Sequence, residues 1–191
     1  MHVRRLRPDE WAALRAVRLR ALADAPDAFG STLAEAEARS DAEWQAQADP
    51  SDGAVFVVDG PAGFVGLARG GPAPIDVTYA ALYSMWVAPE ARGQGVGMAL
   101  IDAVKAWAAA AGYPGLGLGV TTTNAPAIAL YRRAGFVETG DHYPLRGDTD
   151  LEIQIMALPL EPAGQTTPPA GEGPDGRGAD RATGRPGRRS P

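Results

Sequence analysis

The stretch "WVAPEARGQGVGMAL", Trp86 to Leu100, changes character in its middle and restricts the fold more than any other part of the chain. Its start closes an apolar run, "VTYAALYSMWV", with the aromatic and β-branched residues of a strand. Pro89 breaks that run and glycines stand at 93, 95 and 97, after which "GVGMALIDAVKAWAAAAG" reads as a helix stopped by Gly112. A strand feeding a glycine-rich turn that opens a helix presents free backbone N–H groups and the positive end of a helix dipole, and both favour a phosphate. Glycine there lets a bulky anion come close to the chain. A dinucleotide fingerprint needs a small residue at the third position of G-x-G-x-x-G/A. Met98 stands there counting from Gly93 and Leu100 counting from Gly95, so that fingerprint fails in both registers.

Other periodicities surround this junction. "HVRRLRP" alternates like a short edge strand ending at Pro8, and "DEWAALRAVRLRALADA" repeats Trp11, Leu14, Val17 or Arg18, and Leu22 at helical spacing until Pro26. Ser40 and Glu43 stand in capping-box spacing at the start of a second short helix, "SDAEWQAQA". "AVFVVDGPAGFVGLARG" reads as a hairpin joined at Asp59-Gly60-Pro61. After the long helix come a strand "LGLGV", a helix "APAIALYRRAG", and late strands "FVETG" and "LEIQIMAL". Local hairpins with one β-α-β crossover predict an α+β fold, a mixed sheet covered by helices on both faces.

Composition removes several chemistries. The chain has no cysteine, which excludes disulfides, thiolate metal sites and a cysteine nucleophile. Its two histidines, His2 and His142, are far apart, so no metal centre is expected. Lys105 is the single lysine and lies in the middle of the long helix, so the turn is not a P-loop, and no G-x-S-x-G elbow occurs. Net charge −5 and a pI near 5.0 argue against nucleic acid and suit a cationic substrate. No signal peptide or apolar run of roughly 18 residues is seen, so no membrane contact and a cytoplasmic location are expected. From Glu161 to Pro191 no apolar residue exceeds alanine or proline in size. That segment has little to bury and reads as a disordered tail behind a domain spanning residues 1–160.

Arg92-Gly93-Gln94-Gly95-Val96-Gly97, with "VAPE" before it, resembles the R/Q-x-x-G-x-G/A signature of the GCN5-related N-acetyltransferases. "NAPAIALYRRAGFVETG" resembles the second motif of the same superfamily, an asparagine followed by a helix ending in "LY" and then "GF". One helix and one strand separate the two, as in that family. The resemblance covers most of residues 2–158 and implies a mostly antiparallel sheet of about six or seven strands with helices on both faces. It also implies acetyl-CoA as co-substrate. Amides around Arg92, Gly93, Gly95, Val96, Gly97 and Met98 would hold its pyrophosphate. Met85, Trp86 and Val87 would lie on a strand diverging from "LGLGV" and offer backbone groups to the pantetheine arm and thioester carbonyl. Asn124 and Ala127 would meet the cofactor arm.

The reaction so implied is N-acetylation of a primary amine by direct attack on the thioester, through a tetrahedral oxyanion that a strand amide stabilises. Tyr131 stands where the family places the acid that protonates the leaving thiolate. Glu35, Asp76, Tyr83 and Glu152 are candidates for the base that deprotonates the amine, and a water chain serves the same end. Residues 24–40 and 141–150 would line the acceptor pocket, with Asp27, Glu35, Asp141, Asp148 and Asp150 as acidic groups and Phe29 and Tyr143 as aromatics. These fit a small-molecule amine or a protein amine equally, and a homodimer is left open. The rival reading is a non-catalytic acyl-CoA-binding or sensing module, which needs the phosphate turn but not Tyr131. A nucleotide-binding protein using the same turn would hold ADP as well as CoA.

Overall fold

The computed structural model describes residues 2–160; the expectation of a tail over 161–191 lies outside them. One sheet contains β1 (Val3–Arg5), β2 (Ala54–Gly60), β3 (Gly63–Pro72), β4 (Ala80–Val87), β5 (Gly115–Thr121), β6 (Val137–Pro144) and β7 (Glu152–Pro159). Their order across the sheet is β1-β2-β3-β4-β5-β7-β6. All neighbours are antiparallel except β4 and β5, which are joined by the crossover helix α4 (Val96–Ala110). The remaining helices are α1 (Trp11–Asp24), α2 (Leu33–Glu37), α3 (Asp41–Ala48) and α5 (Ala125–Arg133). This is the mixed sheet that the sequence patterns predict, mostly antiparallel as the resemblance implies.

Helix α4 buries Leu100, Ile101, Val104 and Ala108 completely. At about 1.5–3 kcal/mol for each fully buried large aliphatic side chain, this stripe is a main source of stability. It lies over Gly66 and Gly70 of β3, where an added Cβ would come within 3.0 Å of Val96 and Leu100 and 2.5 Å of the Trp107 ring respectively. Consecutive burial of Gly66, Leu67 and Ala68 shows that β3 is covered on both faces. The other cover is α1, which contacts β3 and β4 and buries Leu14, Val17, Ala21 and Leu22.

Strands β4 and β5 share only two paired positions, Ala80 with Leu116 and Ala81 with Gly117. Beyond them β4 carries a bulge. Tyr83 faces Arg69 and Trp86 faces Leu67, so β4 spends one residue more than β3 between the same two rungs. Ser84 takes up that residue with φ of 55°, the left-handed conformation that costs a non-glycine residue about 1–2 kcal/mol. A bulge bends its strand, and here it accompanies the parting of β4 from β5.

Three local expectations shift. A register irregularity at Val58/Asp59 moves the β2–β3 turn past Asp59-Gly60 to Pro61 and Ala62, with Gly60 and Gly63 still paired. Helix α2 was not anticipated, although Thr32 and Glu35 form a complete capping box like that of Ser40 and Glu43. Strand β6 runs on to Pro144 as a wholly exposed edge, with an irregularity between Glu138 and His142.

At the opposite edge Arg4 holds β1 to the turn before α1. Its Nη1 and Nη2 donate to Glu10 at 2.8 Å each, and Nε and Nη2 donate to Asp59 at 2.8 and 2.9 Å. Hydrogen bonds from Arg4, and from the Arg7 amide, pull the Glu10 carboxyl down to about 2. A carboxyl with a depressed folded pKa stabilises the protein fully above its unfolded value, near 4.5, and loses that contribution as pH falls through about 2. Arg4→Met should therefore lower the melting temperature at pH 7, and the gap from wild type should shrink as pH is taken from 5 toward 2. A gap unchanged across that window would show that the ionised Glu10 carboxylate is not its source.

Candidate active site

The parting strands open a cleft of about 720 Å³. The twelve residues that the resemblance assigns to the cofactor and to the acid line it: Met85, Trp86 and Val87 from β4, Arg92, Gly93, Gly95, Val96, Gly97 and Met98 from the turn and first turn of α4, and Asn124, Ala127 and Tyr131 from α5 and its cap. Asp24, Ala25, Ala28 and Phe29 close one side, and Gly119, Val120 and Thr121 of β5 another.

The turn gets its shape from two glycines. Gly93 and Gly95 have φ of 74° and 80°, and an added Cβ at either would meet nothing within 4 Å. Backbone conformation, not crowding, requires glycine at both. Gly95 is the N-cap of α4 and supplies no side chain to the helix, so among the described residues the amides of Val96, Gly97 and Met98 have neither a cap nor an intrahelical partner. Gly97 differs from Gly93 and Gly95 in being crowded: a Cβ there would come within 2.8 Å of Leu130 Cδ2, at the end of a side chain of α5.

Helix α1 braces this turn. Arg92 donates to Asp24 through Nη2 and to the Val87 carbonyl through Nε at 3.1 Å, and Trp86 Nε1 donates to the same Asp24 oxygen at 2.9 Å. Arg20 donates to both oxygens of Glu90 at 2.7 and 2.8 Å and lies over the Trp86 ring, while the Gln94 side chain donates to the Glu90 carbonyl at 2.8 Å.

Asn124 caps α5, its Oδ1 accepting from the Ala127 amide at 3.2 Å. The other end of α5 fixes Tyr131. Gly135 has φ of 96°, its amide donates to Arg132 O at 3.1 Å, and the Phe136 amide donates to Tyr131 O at 3.0 Å. This is a Schellman cap, completed by its usual apolar contact: the Phe136 and Tyr131 rings meet edge to face with centroids 6.0 Å apart. Tyr131 is only 6% exposed, and burial pushes its phenol far above the usual range, so it keeps its proton at neutral pH. Among the described residues no protein group hydrogen-bonds its hydroxyl.

None of the four candidate bases lines the cleft. Glu35 accepts from the amide of Thr32, the N-cap of α2, at 2.7 Å, and the bonds to Thr32 hold its carboxyl below the usual range. It borders a separate, open concavity with Arg146 and Asp148. Asp76 is bound to the Thr78 amide and hydroxyl at 3.0 and 2.6 Å, in the β3–β4 connection. Tyr83 donates to Pro72 O at 2.7 Å, and burial raises its pKa. Glu152 faces His142 at 3.9 Å across β6 and β7. Among the acidic loop residues, Asp27, Asp141, Asp148 and Asp150 also lie outside the lining, whereas Phe29 is within it. Asp24, the one carboxylate among the lining residues, was not picked out from the sequence.

The model of the acetyltransferase (GNAT) family matches residues 18–136, well over half of the chain, and the chain belongs to that family. No curated protein sequence matches it significantly. Among solved structures, the ribosomal-protein-alanine N-acetyltransferase of Brucella melitensis is similar over 84% of this chain and 100% of its own, with 26% identity and a TM-score of 0.69. The ribosomal-protein-S18-alanine N-acetyltransferase of Escherichia coli shares 24% identity over 86% and 97% of the two chains, with a TM-score of 0.61. YncA of Salmonella typhimurium, solved with its cofactor acetyl-CoA, shares 20% identity over 92% and 98%, with a TM-score of 0.70. These last two likenesses are of fold. The protein is thus an acyltransferase that uses acetyl-CoA to acetylate an amine. No described helix is long and apolar enough to cross a membrane.

Proposed function

We propose that the cleft between β4 and β5 binds acetyl-CoA through the twelve residues named above and delivers its acetyl group to a primary amine under the control of Tyr131. The observation that carries this reading is the uncapped start of α4. Three consecutive amides with no hydrogen-bond partner among the described residues, at the positive end of a helix dipole and behind a turn with no side chains at 93 and 95, are a fit for a pyrophosphate. Acetyl-CoA supplies an activated acyl group; the chain supplies position and hydrogen bonds. Beyond Ala81 β4 has no partner in β5, so Met85 to Val87 border the pantetheine arm along the open side of the cleft, with the Val87 carbonyl held by Arg92. Asn124 orders the α5 end of the cleft. Tyr131, held protonated by burial, donates to the sulfur as negative charge develops on it.

Amine deprotonation falls to water. The one carboxylate in the lining, Asp24, is occupied by Arg92 and Trp86, and the other acids considered lie elsewhere. The same geometry favours an enzyme over a binding module, since a module has no use for a buried phenol at that position.

The test is CoA release from acetyl-CoA with a panel of amines. Polyamines, amino acids, amino sugars and short peptides with free N-termini belong in it, with alanine-first peptides included because two of the similar structures are alanine N-acetyltransferases of ribosomal proteins. Stimulation by one amine class identifies the acceptor. Acetyl-CoA binding with no stimulation across the panel would favour the sensing module. We further propose residues 1–160 as the catalytic unit, acting in the cytoplasm. Deleting residues 161–191 should leave turnover and melting temperature nearly unchanged, and a loss of several degrees would refute that division.

A further inference from the structure

The segment from Asp24 to Ser31 crosses the gap between the parted strands. At one end Asp24 accepts from Trp86 of β4 at 2.9 Å; three residues later the Asp27 carbonyl accepts from Thr121 Oγ1 of β5 at 2.7 Å. Thr121 is 2% exposed, so this bond is shielded from water. A third element fastens the crossing from outside. Arg146, in the β6–β7 connection, donates from Nη1 to Pro26 O at 3.0 Å and to Phe29 O at 2.8 Å, while its Nε donates to Asp148 at 3.1 Å. Its side chain is only 16% exposed. From below, Arg18 donates to Ser31 Oγ at 2.8 Å and stacks on the Phe29 ring at 4.3 Å. The crossing thus turns its carbonyls toward these donors and sets Ala25, Ala28 and Phe29 into the cleft wall.

We infer that this segment is a pinned apolar roof that keeps bulk water from the thioester, and that Arg146 is the positioning residue that holds it shut. The inference rests on the acetyl-CoA reading above. Its chemical consequence is specific: with the roof loosened, water adds to the acetyl carbon, the C–S bond breaks, and acetate and the free thiol of CoA leave without any amine. Arg146 itself touches neither the cofactor nor the acceptor in this scheme. Loss of its two charge-assisted bonds should raise the open population of the roof by roughly tenfold or more.

The experiment compares wild type, Arg146→Ala, Arg146→Lys and Thr121→Val by hydrogen exchange of residues 25–31 and by thiol release from acetyl-CoA with no amine present. Arg146→Ala should speed both by roughly tenfold, the scale of a lost charged hydrogen bond, with acetyl-CoA affinity unchanged by calorimetry. Arg146→Lys keeps a cation able to reach the same carbonyls and should recover part of each effect. Should Arg146→Ala fail to fold, Thr121→Val, which keeps the shape and removes the donor, carries the same two readouts. Unchanged exchange, or unchanged thiol release, in a folded variant that binds acetyl-CoA overturns the roof alone. Failure of wild type to bind acetyl-CoA overturns the cofactor reading and this inference with it.

Discussion

Replacing Tyr131 with phenylalanine should lower kcat by roughly 10²–10⁴-fold, the range for a lost general acid, with acetyl-CoA affinity nearly unchanged. Phenylalanine keeps the ring, so the edge-to-face contact with Phe136 survives, and no protein hydrogen bond among the described residues is broken. The raised pKa sets the form of the effect. A phenol this reluctant to ionise helps by donating a hydrogen bond to the sulfur as charge builds rather than by surrendering its proton early. A loss confined to kcat would separate this role from packing. A variant that turns over like wild type while chemistry limits the rate would show that the thiolate takes its proton from water and that Tyr131 is only a wall.

Gly95→Glu should abolish acetyl-CoA binding in practice, weakening it by at least a hundredfold. Two like charges about 4 Å apart repel by roughly 4 kcal/mol at an effective dielectric of 20, and the new carboxylate would stand where the pyrophosphate must sit. The backbone contributes separately. At φ of 80° any side chain costs about 1–2 kcal/mol, so the variant also loses stability. Gly95→Asn distinguishes the two contributions, since asparagine tolerates the left-handed region and brings no charge. It should melt closer to wild type than Gly95→Glu does and bind acetyl-CoA far better. If calorimetry finds the Glu variant folded and binding normally, phosphate does not lie on this turn.

The parts of the site that could be read from sequence are those whose causes are local. Left-handed glycines at 93 and 95, the Asn124 cap and the stop at Gly135-Phe136 each depend on residues within a turn or two, and each leaves its mark in a short string. Gly97 looks the same in the string, but its φ is not left-handed and the neighbour that crowds it, Leu130, lies on another helix. Asp24 and Thr121 acquire their roles from partners 68 and 94 positions away, and Arg146 from carbonyls 117 and 120 positions away. Nothing beside them in the chain distinguishes these residues from solvated surface. The candidate bases failed for the converse reason: an exposed carboxylate is available to any nearby amide, and Glu35 and Asp76 are consumed by the turns they stand in. The fold was more accessible than the long-range contacts of the site because period-2 and helical patterns report burial directly. The short helix α2 was missed for want of length, with five residues giving no period to read.

The cap that ends α5 joins two tasks in one signal. The instruction that stops the helix, a left-handed Gly135 followed by Phe136, is also what aims the Tyr131 ring, because the cap bonds the tyrosine's own carbonyl and presses the phenylalanine on its side. Tyrosine, glycine and phenylalanine behave as a single machined part. An engineer who wishes to move the acid along the cleft cannot slide the tyrosine by one residue, but must relocate the end of the helix.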